Sequence, residues 1–142
     1  MQKHNIYIEH MATFSLTIEC NFAEFWRYNL IVTGAKFLNH ERVDMIKHID
    51  NVAPVGSNLA EIPAGYARAP KTELTLDGCD ALTLYIYVLP HTMPRTRLTD
   101  EARPFELHIT IRRDGETLYN HRHSIAQWVG DNIEIKCPAE SM

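Results

Sequence analysis

The sequence predicts an all-β protein, mainly antiparallel, folded as a two-layer β-sandwich of about eight strands. Apolar and polar residues alternate in "FSLTIEC" and again in "ALTLYIYV", as they do on strands that bury one face. The sequence "RDG" at 113–115 separates two further β-rich runs, which is typical of a hairpin. Short strands separated by turns fit either a sandwich or a small barrel. The sandwich is the better fit, because 81–89 suits a central strand packed against a second sheet.

The chain has 142 residues, and 1–142 is expected to fold as one domain. Hydrophobic residues make up 45% and charged residues 23%, so there is enough apolar surface to offset chain entropy. The net charge of −4 argues against nucleic-acid binding, which requires a basic surface. No stretch approaches the ~20 apolar residues of a membrane helix, and no signal peptide is visible. We therefore expect no nucleic-acid or membrane partner.

Two strands are predicted in the first part of the chain, at 13–20 and 25–34, after an N-terminal extension at 1–12. In each strand one phase is apolar and is predicted to face the core. A solvent-exposed polar face on each strand favours an antiparallel sheet, because parallel strands are usually apolar on both faces. The apolar positions are Phe14, Leu16, Ile18 and Cys20 in the first strand, and Trp26, Tyr28, Leu30 and Val32 in the second.

The region 39–50 is predicted to be a short helix, with an irregular strand as the alternative. Asn39 would be the N-cap, and Val43, Ile46 and Ile49 would line one helical face. The next segment, 51–70, has three prolines, two glycines and no period, and is predicted to be a long loop.

Strands are also predicted at 73–78, 80–90 and 133–137. In the second of these, Leu82, Leu84, Ile86 and Val88 share one face, while Thr83, Tyr85 and Tyr87 share the other. Pro90 is expected to end it, because proline lacks the N–H that a strand needs.

The hairpin around 113–115 is predicted to have a three-residue loop with Gly115 in the left-handed conformation. This register pairs Leu107 with His121 and gives two opposite-charge pairs, Arg112 with Glu116 and Glu106 with Arg122. A two-residue loop would pair Ile111 with Leu118 but Leu107 with Arg122, so that apolar and polar faces conflict.

His121 and His123 are the candidate metal ligands. Positions i and i+2 of a strand point to the same face, so the two imidazoles can bind one zinc, iron or copper ion if a third ligand comes from another strand. Gly115, His121 and His123 have spacing that resembles the first cupin motif. Gln127 stands where that motif has glutamate, and no histidine follows His123, so the chain is not assigned to the cupins. In the predicted register, His108 faces the opposite side.

Tyr85, Tyr87, Tyr66 and Arg68 are the candidate binding residues. Tyrosine and tryptophan combine apolar bulk with a polar group and are enriched at protein interfaces. Trp26 and Tyr28, which share a face, are a second aromatic candidate. The competing interpretation is a central strand covered on both sides.

The leading hypothesis is a non-enzymatic β-sandwich that binds another protein or assembles with itself, without a cofactor. It rests on the lack of any recognisable catalytic or cofactor motif, together with the aromatic strand faces and the long loop. One alternative is a metal-dependent β-fold enzyme that uses His121 and His123. Another is a module that binds a small ligand or carbohydrate.

The three cysteines, Cys20, Cys79 and Cys137, form no CxxC pair, which excludes zinc-ribbon and thioredoxin-type motifs. Cys20 and Cys137 fall at apolar positions and are expected to be core residues. The odd count favours the cytoplasm or another reducing compartment.

Overall fold

The computed structural model describes residues 11–50, 52–57, 61–66, 70–92, 103–127 and 129–138. These residues form two four-stranded sheets, ordered β4–β1–β6–β7 and β3–β2–β5–β8, in which neighbouring strands are antiparallel. The predicted all-β sandwich is confirmed. The strands are β1 (Ala12–Glu19), β2 (Tyr28–Leu38), β3 (Glu41–Asp50), β4 (Lys71–Cys79), β5 (Ala81–Pro90), β6 (Phe105–Arg113), β7 (Glu116–Ile125) and β8 (Asp131–Cys137), with a short 3₁₀ turn at Phe25–Arg27.

The core lies between the two sheets and is filled by alternate residues of their strands. Phe14 and Leu16 of β1 are fully buried, as are Leu84 and Ile86 of β5. Burial of one such side chain contributes roughly 1.5–3 kcal/mol. The alternation in the sequence therefore identifies the inward faces of β1 and β5 correctly.

Within the described ranges, no helix is long and apolar enough to cross a membrane.

The predicted helix at 39–50 is wrong and the alternative, an irregular strand, is confirmed, because residues 41–50 form the edge strand β3. Asn39 and His40 have φ angles of 51° and 69° and form a tight turn from β2 into β3, so Asn39 is no N-cap. Of the three residues expected on one helical face, only Ile46 is buried, while Val43 and Ile49 are exposed. The main-chain ladder with β2 outweighs a weak local helix signal.

The hairpin between β6 and β7 also differs from the prediction. Its loop has two residues, Asp114 and Gly115, with φ angles of 50° and 86°, as a type I′ turn requires. Arg112 pairs with Thr117 and Ile111 with Tyr119, so Leu118 is an extra residue in β7. This bulge returns the apolar residues to one face and removes the conflict that argued against a two-residue loop.

The bulge also changes the predicted pairs. Leu107 pairs with His123 rather than His121, and Arg113 rather than Arg112 pairs with Glu116. Glu106 and Arg122 still form an ion pair at 3.8 Å, although they are not directly opposite each other.

The segment 52–57 is anchored to the end of β5 and the start of β2. The main-chain N–H groups of Gly56 and Ser57 both donate to the carbonyl oxygen of His91. The Asn29 side chain accepts from the N–H of Val52 at 2.8 Å and donates to the carbonyl of Ala53 at 2.8 Å. Within the predicted loop 51–70, the described residues 52–57, 61–66 and 70 form neither helix nor strand.

Candidate functional site

Tyr85 and Tyr87 lie on the side of β3–β2–β5–β8 that faces away from the core, here called the outer face. Their neighbours Leu84, Ile86 and Val88 point inward and are fully buried. Tyr85 is 38% exposed and Tyr87 is partly exposed. The central strand is therefore not covered on both sides, and the described residues leave this tyrosine stripe accessible.

The outer face also carries apolar side chains from the neighbouring strands. On β3, Met45 is 61% exposed and Ile49 is 47% exposed. Ile49, Ile31 and Tyr87 lie in one row across β3, β2 and β5. A shallow depression of about 480 Å³ lies beside Tyr85, lined by Ala35, Phe37, Arg42, Thr83, Tyr85 and Lys136. Exposed apolar patches of this kind mark interaction sites on many proteins.

The row through Tyr85 has opposite charges at its two ends. The pairing register places Lys47 of β3, Thr33 of β2, Tyr85 of β5 and Glu134 of β8 in line across the sheet. Lys47 and Glu134 are both exposed, and neither forms an ion pair within the described part of the chain. The outer face is therefore mixed in chemistry, with an aromatic centre and charged edges.

The second aromatic candidate does not form a surface. Tyr28 is 2% exposed and packs against Phe25 and Phe105, with ring centroids 5.9 and 5.1 Å away. Trp26 is 5% exposed and lies in the 3₁₀ turn rather than in the strand. Both rings are core residues, as their apolar positions predict, and they do not serve as a second aromatic binding face.

Tyr66 lines a different cavity, at the open side of the sandwich where the edge strands β3 and β4 lie. This cavity has a volume of about 450 Å³ and is bounded by residues of β1, β2, β3 and β4 together with Val52 and Gly65. The structure does not bring Tyr66 together with Tyr85 and Tyr87 in either cavity. Arg68, the fourth predicted binding residue, lies outside the described residues.

Asp50 is the main polar group of this cavity. Its Oδ2 accepts a hydrogen bond from the Thr72 hydroxyl at 2.6 Å, and its Oδ1 lies 2.9 Å from Nε2 of His48. Burial raises the pKa of Tyr66 to about 12, and the charges that Asp50 and Cys20 carry at the high pH where tyrosine titrates act in the same direction. The Tyr66 hydroxyl therefore stays protonated at neutral pH and can donate a hydrogen bond.

His121 and His123 share a face of β7, as predicted, with ring centroids 6.2 Å apart. Nε2 of His123 lies 2.7 Å from the Tyr119 hydroxyl, and burial, followed by the charge of His121, lowers the pKa of His123. His108 lies on the other face, beside Asn120. No group of three or more His, Cys, Asp or Glu side chains suited to a metal occurs among the described residues. Metal binding by this pair stays a prediction, to be tested by elemental analysis of protein purified without chelator.

Sequence reasoning missed the cluster of Asp50, His48 and Thr72. Asp50 and Thr72 are 22 positions apart and belong to strands in different sheets. The sequence contains no signal for their contact, because it depends on how the two sheets are stacked. His48 and Asp50, at i and i+2 of a strand, would have been suggestive only if 39–50 had been predicted as a strand.

Comparisons with known proteins assign no family. No protein-family model matches the chain, and no curated protein matches it. A crystal structure of a DUF4425 family protein from Bacteroides ovatus is similar over 92% of this chain and 99% of that chain, with 12% identity and a TM-score of 0.44. A likeness this remote carries no inference about function.

Proposed function

We propose that this protein is a non-enzymatic β-sandwich that associates with a second copy of itself through the outer face. The observation that carries the proposal is the accessible position of Tyr85 and Tyr87 on a central strand whose inward side chains, Leu84, Ile86 and Val88, are fully buried. Aromatic side chains at the centre of a patch, with charged residues around them, are the usual anatomy of a protein interface.

The size of the outer face suits a dimer of modest affinity. Four strands about 4.8 Å apart, each contributing about eight residues at ~3.4 Å per residue, cover roughly 500 Å² per copy. Two such faces bury on the order of 1,000 Å², which is near the lower limit for a specific interface. The expected dimer is therefore weak enough to be concentration-dependent.

The opposite charges at the two ends of the Tyr85 row favour a second copy as the partner. A two-fold axis between the copies, parallel to the strands, would put β3 of one copy over β8 of the other. Lys47 would then face Glu134 of the second copy, and the same contact would occur twice, as a two-fold interface requires. Packed sheets lie ~10 Å apart, a distance that these long side chains can bridge.

Association of two copies by strand addition at the edge strand β3 is disfavoured. Its register with β2 shifts between Lys36 and Phe37, and an irregular edge is a poor template for another strand. Charged residues along β3, including Glu41 and Asp44, further oppose the addition of a strand. The outer face is therefore a better surface for association than the edge of β3.

Sedimentation equilibrium on the wild type and on charge variants tests this proposal. We expect each single variant, Lys47→Glu or Glu134→Lys, to shift the equilibrium toward monomer, because each places like charges opposite each other. The double variant should recover dimer, because it restores opposite charges in the reversed order. Glu73→Lys, on the outer side of the other sheet, is the matched control and should leave the dimer intact.

A wild type that stays monomeric up to about 0.5 mM would overturn self-association through this face, since an interface of this size should bind in the micromolar range. Single charge variants that dimerise like the wild type would also overturn the proposal. A double variant that does not recover the dimer would do the same. Replacing Tyr85 and Tyr87 together with serine gives an independent readout. It should remove the dimer while leaving the far-ultraviolet circular dichroism spectrum unchanged.

A further inference from the structure

We propose that the cavity between β3 and β4 binds an organic amine, with its apolar body against the core and its ammonium group at Asp50. The site is separate from the outer face and does not depend on the proposed self-association. Its chemistry follows from its shape, its walls and the arrangement of its polar groups.

The cavity has the dimensions of a small-molecule site. Its volume of about 450 Å³ lies within the range of ~300–1,000 Å³ that is usual for ligand pockets. It opens at the side of the sandwich where the edge strands of the two sheets are not paired with each other. Both sheets therefore contribute walls, and the segment containing Gly65 and Tyr66 lies along the cavity.

The deep wall is apolar and rigid. Ile18 of β1 and Leu30 of β2 come from different sheets, and Phe25 of the 3₁₀ turn lines the same cavity. All three are at most 6% exposed and belong to the main core, so their positions are set by packing rather than by a ligand. An apolar group that entered here would meet a preformed surface, which lowers the entropic cost of binding.

The polar wall is anionic. The Thr72 hydroxyl and Nε2 of His48 each contact a different oxygen of Asp50, which holds the carboxylate in one orientation. Each carboxylate oxygen can accept a further hydrogen bond. Lys71 also lines the cavity, but its ammonium group is 2.9 Å from Glu73, which offsets its charge. The arrangement therefore favours a cation and opposes a carboxylate ligand.

The Tyr66 hydroxyl adds a group that can form a hydrogen bond with a bound ligand. Its hydroxyl is neutral at pH 7 and can donate to, or accept from, a bound polar group. Its ring, with those of Phe25 and Tyr28, makes the cavity partly aromatic, and aromatic faces attract ammonium groups. A compact primary amine with an aromatic body satisfies all of these groups at once.

Titration of the full chain with 2-phenylethylamine, followed by amide chemical shifts, tests the proposal. The neutral analogue 2-phenylethanol is the matched ligand control, because it keeps the ring and removes the charge. We expect saturable binding of the amine, with chemical-shift changes at Asp50, Tyr66 and Thr72. The alcohol should bind at least about tenfold more weakly.

Asp50→Asn is the decisive variant, because asparagine keeps the shape and can still accept from Thr72. We expect it to weaken amine binding about tenfold and to leave binding of the alcohol unchanged. Asp77→Asn, at a carboxylate on the exposed side of β4, is the matched control and should bind like the wild type. Equal affinity for amine and alcohol, retained amine affinity in Asp50→Asn, or no saturation by about 10 mM amine would each overturn the proposal. Sedimentation equilibrium on the same samples separates this result from the test of self-association.

Discussion

A β-carbon added to Gly34 in β2 would lie 2.0 Å from the carbonyl oxygen of Thr83 in β5. The obstructing atom belongs to the main chain of a central strand, so no side-chain rotation can relieve the overlap. Gly34 pairs with Ile46 on one side and Leu84 on the other. The two central strands of this sheet therefore require glycine at position 34 for steric reasons.

Gly34→Ala should destabilise the fold by about 2 kcal/mol or more, since overpacking that displaces main chain costs on the order of 1–3 kcal/mol. Gly115→Ala is the control, because its added β-carbon would meet nothing within 4 Å and only the positive φ of 86° is strained. That strain costs about 1 kcal/mol. Urea unfolding of both variants measures the difference, and equal losses would contradict the steric argument.

Asp114 in the β6–β7 turn should tolerate asparagine but not valine. Its Oδ1 accepts a hydrogen bond from the N–H of Thr13 at 3.0 Å, and its φ is 50°. Asparagine keeps the acceptor and adopts the left-handed conformation readily, whereas valine does neither. We expect Asp114→Asn to be within ~0.5 kcal/mol of the wild type and Asp114→Val to lose about 2 kcal/mol in thermal or urea unfolding. A stable valine variant would contradict this reading of the turn.

His91 should make stability depend on pH. The side chain is 1% exposed, with Nε2 2.6 Å from the Trp26 carbonyl oxygen and Nδ1 2.6 Å from the Thr92 hydroxyl. Nε2 therefore carries the proton and donates to Trp26, while Nδ1 accepts from the Thr92 hydroxyl, which in turn contacts the Ser57 hydroxyl. Burial lowers the pKa of His91, and the charge of Arg27 acts in the same direction.

Because the folded-state pKa of His91 lies below its unfolded value, the unfolded chain binds more protons. The free energy of unfolding should be highest above the unfolded value of ~6.5 and should fall as the pH decreases from there toward the folded pKa. His91→Gln, which can still donate to Trp26, should flatten this dependence in unfolding experiments from pH 8 to pH 5. His123, whose pKa is also lowered by burial, is tested separately with His123→Gln. An unchanged slope in His91→Gln would show that other groups carry the effect.

The three cysteines should be unreactive in the folded protein. Cys20, Cys79 and Cys137 are free and are 5%, 0% and 2% exposed. Burial raises the pKa of all three thiols, that of Cys20 to about 11, so little thiolate is present near pH 8. A thiol reagent such as dithionitrobenzoate should react slowly with the native chain and should label three thiols in urea. Rapid labelling of the native chain would contradict the burial of these side chains.

Strand positions with one buried face were predictable from local pattern. Phe14 and Leu16, like Leu84 and Ile86, alternate with polar residues, and the period of two in a strand has a direct geometric cause. The core positions of Cys20 and Cys137 follow from the same phase and are confirmed by their burial.

Local pattern was misleading where pairing with another strand decides the outcome. Residues 43, 46 and 49 have helical spacing, yet β3 forms because β2 offers it a ladder of main-chain hydrogen bonds. The β6–β7 register depends on a bulge at Leu118, and no local sequence pattern indicates that β7 contains an extra residue there.

The sequence by itself determined the all-β class, most of the strands and their inward faces, because these depend on alternation along one segment. Only the tertiary structure decided which aromatic residues are accessible. It left Tyr85 on an open sheet face, since exposure depends on what packs from outside the strand. It also brought Asp50, Thr72 and Tyr66 to one cavity, because contacts between sheets depend on stacking, which a single strand does not encode.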